Sequence, residues 1–234
     1  METLLQEANN GFRWKDSDAY LFDIDGTLLL SKDRTHRYAL HRAMLDVYGV
    51  ETTIDGIAYH GKTDVGILRA ALERAGIATD VINQGMPQAL EVVRLDATEK
   101  AERFTPNVLP GIREVLECLR DSGKLLGVAS GNLELVGWLK VKAAGLREFF
   151  EFGRFADNCE LREDIFREGV AEVRRRMGVS ARVCFVGDTP DDVRAARCAG
   201  GRVIAVGTGI FKVEDLASHG PDATIGCCSE LLGL

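Results

Sequence analysis

The segment 20–29 constrains the fold of this chain more than any other; it reads Tyr-Leu-Phe-Asp-Ile-Asp-Gly-Thr-Leu-Leu. Its apolar residues predict a short buried strand, and the Asp-Gly-Thr triplet predicts a turn directly after it. Alternation along a strand places Asp23 and Asp25 on one side, with Ile24 opposite. Two carboxylates that point the same way repel each other unless one is protonated or a divalent cation lies between them. A solvated Asp-Gly turn that closes a hairpin is the alternative at this point.

Composition and charge restrict the possible functions. The chain has 234 residues, of which 46% are hydrophobic and 28% charged, and this suits a globular protein with one large domain or a core domain with an insert. The formal net charge of −7 argues against nonspecific binding of nucleic acid. Residues 1–18 lack the apolar stretch of a signal peptide or anchor, and no apolar run is long enough to span a bilayer. We therefore expect neither a nucleic-acid partner nor a membrane partner.

The six cysteines predict the compartment. None forms a Cys-x-x-Cys pair, and several lie within apolar segments. This pattern favours buried reduced thiols over disulfides or a zinc site, and hence a cytoplasmic location. The four histidines are scattered and do not indicate a metal cluster.

Residues 31–104 show only helical periodicity. Apolar residues at helical spacing predict one helix that ends at Gly49 and a second that ends at Gly76. They predict a third helix from about Thr79 to Phe104, with Pro87 as a candidate break. The block is therefore predicted to be all-helical.

From residue 105 onward, short apolar strands alternate with amphipathic helices. This alternation predicts a doubly wound α/β fold, with a parallel sheet covered by helices on both faces. Residues 1–30 and 105–234 would form this core, and residues 31–104 would form an inserted helical domain. The predicted later strands are Leu125–Ala129, Phe149–Phe155, Val183–Val186, Arg202–Val206 and Ala223–Ile225.

Polar residues follow two of these strands, where a parallel sheet places its ligand site. Ser130-Gly131-Asn132 follows one strand, and Gly187-Asp188 with Asp192 follows another. Taken singly, Ser130 could be a helix N-cap, and the two aspartates could be a turn and helix-terminal charges. Because these groups and the aspartates of segment 20–29 fall at one predicted edge, we favour a functional site there.

These motifs resemble those of the haloacid dehalogenase-like superfamily. Asp-Ile-Asp-Gly-Thr at 23–27, Ser130 after a strand, and Gly-Asp-x-x-x-Asp at 187–192 are similar to the first, second and fourth motifs of that superfamily, in order. The helical block 31–104 lies where the family has a helical cap domain. The segment 186–192, together with Gly-Lys-Thr-Asp at 61–64, is most similar to phosphoglycolate-phosphatase-like members.

The resemblance implies a Mg²⁺-dependent phosphatase that acts on a small phosphorylated metabolite. Asp23 would be the nucleophile that forms an aspartyl-phosphate, and Asp25 the general acid and base. Asp23, Asp188 and the backbone carbonyl of Asp25 would hold the metal, with Asp192 supporting that shell. Ser130 and nearby backbone N–H groups would hold the phosphoryl oxygens. The other residues expected to contact phosphate or substrate are Gly26, Thr27, Gly131, Asn132 and, from the cap, Lys62.

The third motif of the family departs from its usual form. The family has a lysine, usually in Lys-Pro before a helix, which neutralises the phosphoryl group. Here the matching position is Glu160, and Arg162 is the nearest cation. We take Arg162 as the replacement and expect Arg162→Ala to abolish most turnover without unfolding the protein. A surface arginine in the first turn of a helix is the alternative. Lys62, likewise, could simply lie at a helix start capped by Thr63.

Other activities occur on this scaffold. A dehalogenase has no need of an acid two residues after the nucleophile, and phosphonate hydrolysis uses other residues there, so Asp25 argues against both. A phosphomutase keeps both aspartates and stays open. The irregular third motif is the feature that favours a non-catalytic binding or regulatory protein. The sequence is compatible with a monomer or a homodimer.

Overall fold

The computed structural model describes residues 12–233. Most of the N-terminal segment considered above, residues 1–11, lies outside this range. Within it, the strands are β1 (Ala19–Phe22), β2 (Leu29–Leu30), β3 (Asn107–Val108), β4 (Leu125–Ala129), β5 (Phe152–Arg154), β6 (Val183–Gly187), β7 (Arg202–Val206) and β8 (Ala223–Ile225). The α-helices are α1 (Thr35–Tyr48), α2 (Asp64–Arg74), α3 (Thr79–Glu99), α4 (Ile112–Asp121), α5 (Glu134–Ala143), α6 (Arg162–Met177), α7 (Pro190–Cys198) and α8 (Val213–Ala217).

Six of the strands form one parallel sheet in the order β5-β4-β1-β6-β7-β8. Strand β1 lies in the middle, with Phe22 in register with Val128 of β4 and Val186 of β6. The carboxyl ends of these three strands therefore lie side by side, and we call this the carboxyl edge. The predicted α/β class and parallel sheet are confirmed.

Alternate residues of the strands enter two different apolar layers. Tyr20 and Phe22 of β1 pack into the layer that contains Trp14 and α4. Leu21 packs into the other layer, with Phe166 of α6. Both faces of the sheet are thus covered, which explains why the strands are apolar throughout instead of alternating with polar residues.

Helices α1–α3 account for most of residues 31–104 and have an apolar cluster of their own, which Leu133 and Val136 at the start of α5 also join. Helix α3 runs through Pro87 without a break, and Met86 and Leu90 on either side are buried. Packing of this face therefore outweighs the local cost of the proline. The helix ends at Glu99, five residues before the predicted limit, and a 3₁₀ turn follows at Ala101–Arg103. A two-stranded antiparallel ribbon of β2 and β3 lies where the chain enters and leaves this block.

No helix in the range 12–233 combines the length and the apolar character needed to cross a membrane. All six cysteines lie in this range as free thiols. Cys159, Cys184 and Cys228 are buried, but Cys118 and Cys227 are only partly buried and Cys198 is exposed, so the prediction of buried thiols holds for three of the six.

Candidate active site

Asp23 follows directly on β1 at the centre of the carboxyl edge. Its backbone N–H donates to the carbonyl of Val186 at 2.9 Å, so the position is fixed by the sheet. The side chain is buried, with only 5% of the residue surface exposed. Burial, together with the neighbouring charges of Asp192 and Asp25, outweighs the opposing effect of Arg162 and raises the pKa of Asp23 to about 6.

Asp188 lies beside Asp23, one residue after β6, and is likewise buried. The hydroxyl of Thr27 donates to its Oδ1 at 3.1 Å. The turn that brings Thr27 there depends on Gly26, which has φ of +85° and where a Cβ would collide with the Asp188 carboxylate. Burial and the charges of Asp192 and Asp23 raise the pKa of Asp188 well above its ordinary value.

Arg162, the first residue of α6, is buried against this cluster and does not lie at the surface. Its Nη2 is 2.9 Å from Asp23 Oδ2 and 2.6 Å from Asp192 Oδ1. Burial acts to lower the pKa of Arg162, but the charges of Asp192 and Asp23 outweigh this effect and raise it, so the guanidinium stays charged. The cation that the irregular third motif seemed to lack thus contacts the first-motif aspartate.

Asp192 is fully buried, and both of its carboxylate oxygens are occupied by protein groups. Oδ1 accepts from Arg162 Nε at 2.8 Å, and Oδ2 accepts from the backbone N–H and hydroxyl of Thr189 at 3.0 and 2.7 Å. Thr189 caps α7 in return, because its hydroxyl accepts from the Asp192 N–H. Asp192 therefore orients Arg162 and anchors the start of α7.

Oxygens of Asp23, Asp188 and Asp192 lie within 4.8 Å of one another. Among residues 12–233, Arg162 is the only cation in contact with these three buried carboxylates. Burial, and then the like charges of the other carboxylates, raise the pKa values of Asp23 and Asp188, and positive charge does not fully offset these effects. Hard oxygen donors with uncompensated negative charge suit a divalent cation such as Mg²⁺, and the cluster could therefore hold one.

Asp25 lies in a different setting, with 44% of its side chain exposed. Its Oδ2 accepts from Lys140 Nζ at 2.7 Å and from Asn132 Nδ2 at 2.9 Å. Burial of the carboxyl acts to raise its pKa, but the charge and hydrogen bond of Lys140, with the hydrogen bond of Asn132, outweigh this and hold the pKa of Asp25 below its ordinary value.

The loop after β4 supports Asp25 and contacts the helical block. Asn132 Nδ2 also donates to the hydroxyl of Ser130 at 2.8 Å, and Ser130 is buried. The carbonyl of Gly131 accepts from the N–H of Asp64, the first residue of α2, at 2.7 Å. A Cβ at Gly131 would collide with the carbonyl of Lys62, so the close approach of the two backbones requires glycine here.

The segment 61–64 makes several polar contacts between the helical block and the core. The carbonyl of Gly61 accepts from Arg162 Nη1 at 3.2 Å, and the hydroxyl of Thr63 donates to the carbonyl of Glu160 at 2.6 Å while capping α2. The Lys62 ammonium pairs with Asp191 at 2.8 Å and is half exposed. The structure thus places Lys62 against the first turn of α7, at the outer edge of the site, which we call the rim.

Two site residues, Lys140 and His36, do not stand out in the sequence, and Asp64 stood out only as the last residue of segment 61–64. Lys140 Nζ is 3.1 Å from His36 Nδ1, and His36 Nε2 is 3.0 Å from Asp64 Oδ2. The available signal was the position of Lys140, four residues after Val136 on the buried face of a predicted helix. A charged residue on an apolar face is the kind of exception that indicates a buried partner.

Comparison with known sequences identifies relatives of this chain. Residues 17–200 match the family described as haloacid dehalogenase-like hydrolase. A probable phosphatase, IndB, of Dickeya dadantii is 29% identical over 126 residues, which are 54% of this chain and 55% of IndB. The chain thus spans little more than half the length of that relative. A phosphoglycolate phosphatase of Mesorhizobium japonicum is 25% identical over 232 residues, covering 91% of this chain and 95% of that protein.

Solved structures share the fold over nearly the whole chain. CbbY of Rhodobacter sphaeroides, a mutant in complex with xylulose-1,5-bisphosphate, superposes with a TM-score of 0.70 at 22% identity. The match covers 92% of this chain and 96% of CbbY. Because the family match takes in both the strand-end aspartates and the helical block, this chain belongs to the haloacid dehalogenase-like hydrolases.

Proposed function

We propose that this hydrolase is a Mg²⁺-dependent phosphatase that acts on a small phosphorylated metabolite through an aspartyl-phosphate on Asp23. The observation that carries the proposal is the contact of Asp23 with Arg162, 2.9 Å apart at the carboxyl edge. A carboxylate beside a fixed cation is a nucleophile placed where the charge of a phosphoryl group can be neutralised.

Asp23 attacks phosphorus through a carboxylate oxygen, and the bond from phosphorus to the ester oxygen breaks. Arg162 faces the developing charge on the phosphoryl oxygens, and its orientation is fixed in advance by Asp192. The Ser130 hydroxyl and the Gly131 backbone lie at the end of the neighbouring strand, and we assign them to the same phosphoryl group. Gly26 and Thr27 shape the turn that brackets it.

Asp25 gives a proton to the departing alkoxide oxygen and then takes a proton from the water that attacks the aspartyl-phosphate, so that phosphate is released and Asp23 regenerated. The carboxylate is 44% exposed, and Lys140 and Asn132 hold only its Oδ2, so within the described residues Oδ1 is available for this exchange.

Asp23 and Asp188 would hold the Mg²⁺ ion, with the backbone carbonyl of Asp25, while Asp192 supports the cluster. The bound ion supplies charge neutralisation for the nucleophile and the phosphoryl oxygens. The residues fit this role because the cluster is short of positive charge without it.

We also propose that residues 31–104 act as a cap over a core formed by residues 1–30 and 105–234. Asp23 and Asp188 are almost fully buried beneath the contacts of segment 61–64, so a substrate enters when the cap lifts. A cap that closes this tightly favours a small phosphate ester over a phosphoprotein. The relative named as a phosphoglycolate phosphatase supports the same class of substrate.

The test is phosphate release from p-nitrophenyl phosphate and from a panel of phosphorylated metabolites, with Mg²⁺ and with a chelator. We expect activity that requires Mg²⁺ and falls more than about 10³-fold in Asp23→Asn, since covalent catalysis is lost. Asp121→Asn is the matched control, because that carboxylate is 72% exposed and remote from the edge. Beryllium fluoride should protect the wild-type protein, but not Asp23→Asn, against thermal unfolding.

Activity retained by Asp23→Asn, or absence of both turnover and a beryllium fluoride adduct in the wild-type protein, would contradict the proposal. Conversion of a phosphosugar without release of phosphate would instead identify a mutase.

A further inference from the structure

Lys140 is a buried lysine in the middle of α5, with 3% of its surface exposed. A buried ammonium costs free energy unless its charge and its three N–H donors all have partners. Lysine is therefore poorly suited to filling an apolar layer, and the groups that contact its ammonium indicate what role it has.

All three donors of Lys140 have an acceptor. Nζ lies 2.7 Å from Asp25 Oδ2, 2.8 Å from Asn132 Oδ1 and 3.1 Å from His36 Nδ1. The partners come from three separate parts of the chain: the turn after β1, the loop after β4, and α1. An ammonium has three N–H donors, one for each of these acceptors.

Lys140 also decides which way the Asn132 amide faces. Because an ammonium can only donate, the amide must present its oxygen to Lys140 and turn its NH₂ toward Asp25 Oδ2, at 2.9 Å. Oδ2 thus receives one hydrogen bond from Lys140 and a second from an amide that Lys140 has oriented. Within the described residues, Oδ1 has no such partner, and the side chain is 44% exposed.

We infer that Lys140 is a positioning residue for Asp25: it fixes Oδ2, so that Oδ1 is the oxygen that meets the leaving group and the attacking water. The inference rests on the proposed function, in which Asp25 is the acid and base. Lys140 acts through Asp25 and touches neither substrate nor phosphate.

With p-nitrophenyl phosphate as substrate, Lys140→Met should affect the two chemical steps differently. These steps are formation of the aspartyl-phosphate and its hydrolysis. This leaving group needs little help from an acid, so kcat/KM should stay within about threefold of wild type. Hydrolysis of the aspartyl-phosphate needs a well-aimed base, so kcat should fall about 10- to 100-fold, and KM should fall with it. Lys142→Met, which removes an exposed lysine of the same helix, should change neither quantity.

The same substitution in an Asp25→Asn background tests whether Lys140 works through Asp25. If it does, the second change adds less than about threefold to the loss in kcat, because residues that act as a unit are not additive. An equal loss in both backgrounds would mean that Lys140 has an independent structural role, and that result would overturn the inference. So would an unchanged kcat for Lys140→Met in the wild-type background.

If circular dichroism shows that Lys140→Met does not fold, Lys140→Gln replaces it in the comparison with Asp25→Asn. Glutamine keeps a hydrogen-bond donor but removes the charge. Failure of the proposed function looks different, because the wild-type protein would then release no phosphate or Asp23→Asn would stay active.

Discussion

The two first-motif aspartates lie two residues apart but in opposite electrostatic settings. Asp23 shares a buried cluster with Asp188 and Asp192. Within the described residues, the guanidinium of Arg162 is the one cation in contact with this cluster. Asp25 has an ammonium of its own, Lys140, and an amide on the same oxygen. Burial and like charges raise the pKa of Asp23, whereas Lys140 and Asn132 outweigh the partial burial of Asp25 and hold its pKa low. The side with the proposed nucleophile, Asp23, is short of positive charge, and the side with the proposed acid and base, Asp25, is balanced.

This difference indicates which side of the site could take a cation from solution and which side already has one from the chain. A cluster with excess negative charge binds a divalent cation at little electrostatic cost, while a carboxylate that already has an ammonium partner has no need of one. The division matches the roles proposed for the two aspartates.

The largest effect should come from breaking the cation contact on the Asp23 side. Arg162→Ala removes the partner of Asp23 and Asp192, and turnover should fall about 10²- to 10³-fold, the usual loss when a preorganised charge is removed. The structure changes one earlier expectation. Because Arg162 is buried between two carboxylates, its removal should also cost about 3–5 kcal/mol of stability, so the variant should still fold but should unfold more easily than the wild type.

Steady-state kinetics and chemical denaturation measure the two losses. Arg162→Lys, which keeps the charge, should retain more stability than Arg162→Ala. Arg167→Ala is the control, since it removes an arginine of the same helix that is 55% exposed. If Arg162→Ala turned over substrate like this control, the contact with Asp23 would have no role in catalysis.

A smaller effect should appear in the pH dependence of Mg²⁺ binding. In the metal-free protein, the raised pKa of Asp23 means that its protonated form stabilises the fold; this contribution is complete below pH 3.8 and is lost as the pH rises through about 6. Mg²⁺ competes with these protons, so the rise in Tm that it causes should be larger at about pH 7.5 than at about pH 5.5.

Differential scanning fluorimetry with and without Mg²⁺ at the two pH values measures this difference. Asp188→Asn, which removes one carboxylate of the cluster, should lose most of the response, and Asp121→Asn should keep it. A rise in Tm that is equal at both pH values would show that the bound ion displaces no proton from the cluster.

The smallest effect should come from a substitution at Lys62, at the rim of the site. The Lys62 ammonium pairs with Asp191 and is half exposed, so solvent weakens whatever it contributes to substrate binding. Lys62→Ala should raise KM for the best substrate about threefold and leave kcat unchanged. An unchanged KM would remove Lys62 from the substrate site, and a large loss of kcat would move it into the catalytic centre.

Sequence patterns predicted the elements that are governed by local periodicity. The strands Leu125–Ala129, Arg202–Val206 and Ala223–Ile225 have the expected bounds, and the helix ends at Gly49 and near Gly76 follow from glycine in the left-handed region. Bounds were less accurate where packing overrides local preference, as at Pro87, which α3 accommodates, and at β5, which is only three residues long.

The sequence by itself determined that Asp23, Ser130 and Asp188 would lie at one edge, because each follows an apolar strand and the carboxyl ends of neighbouring parallel strands coincide. It could not determine which positively charged side chain lies beside each carboxylate. Arg162 carried no local sign of burial, and Lys140 is 115 residues from Asp25 along the chain. Only the tertiary structure pairs such charges, since an ion pair depends on distance in space and on burial, and neither can be read from the residues on either side.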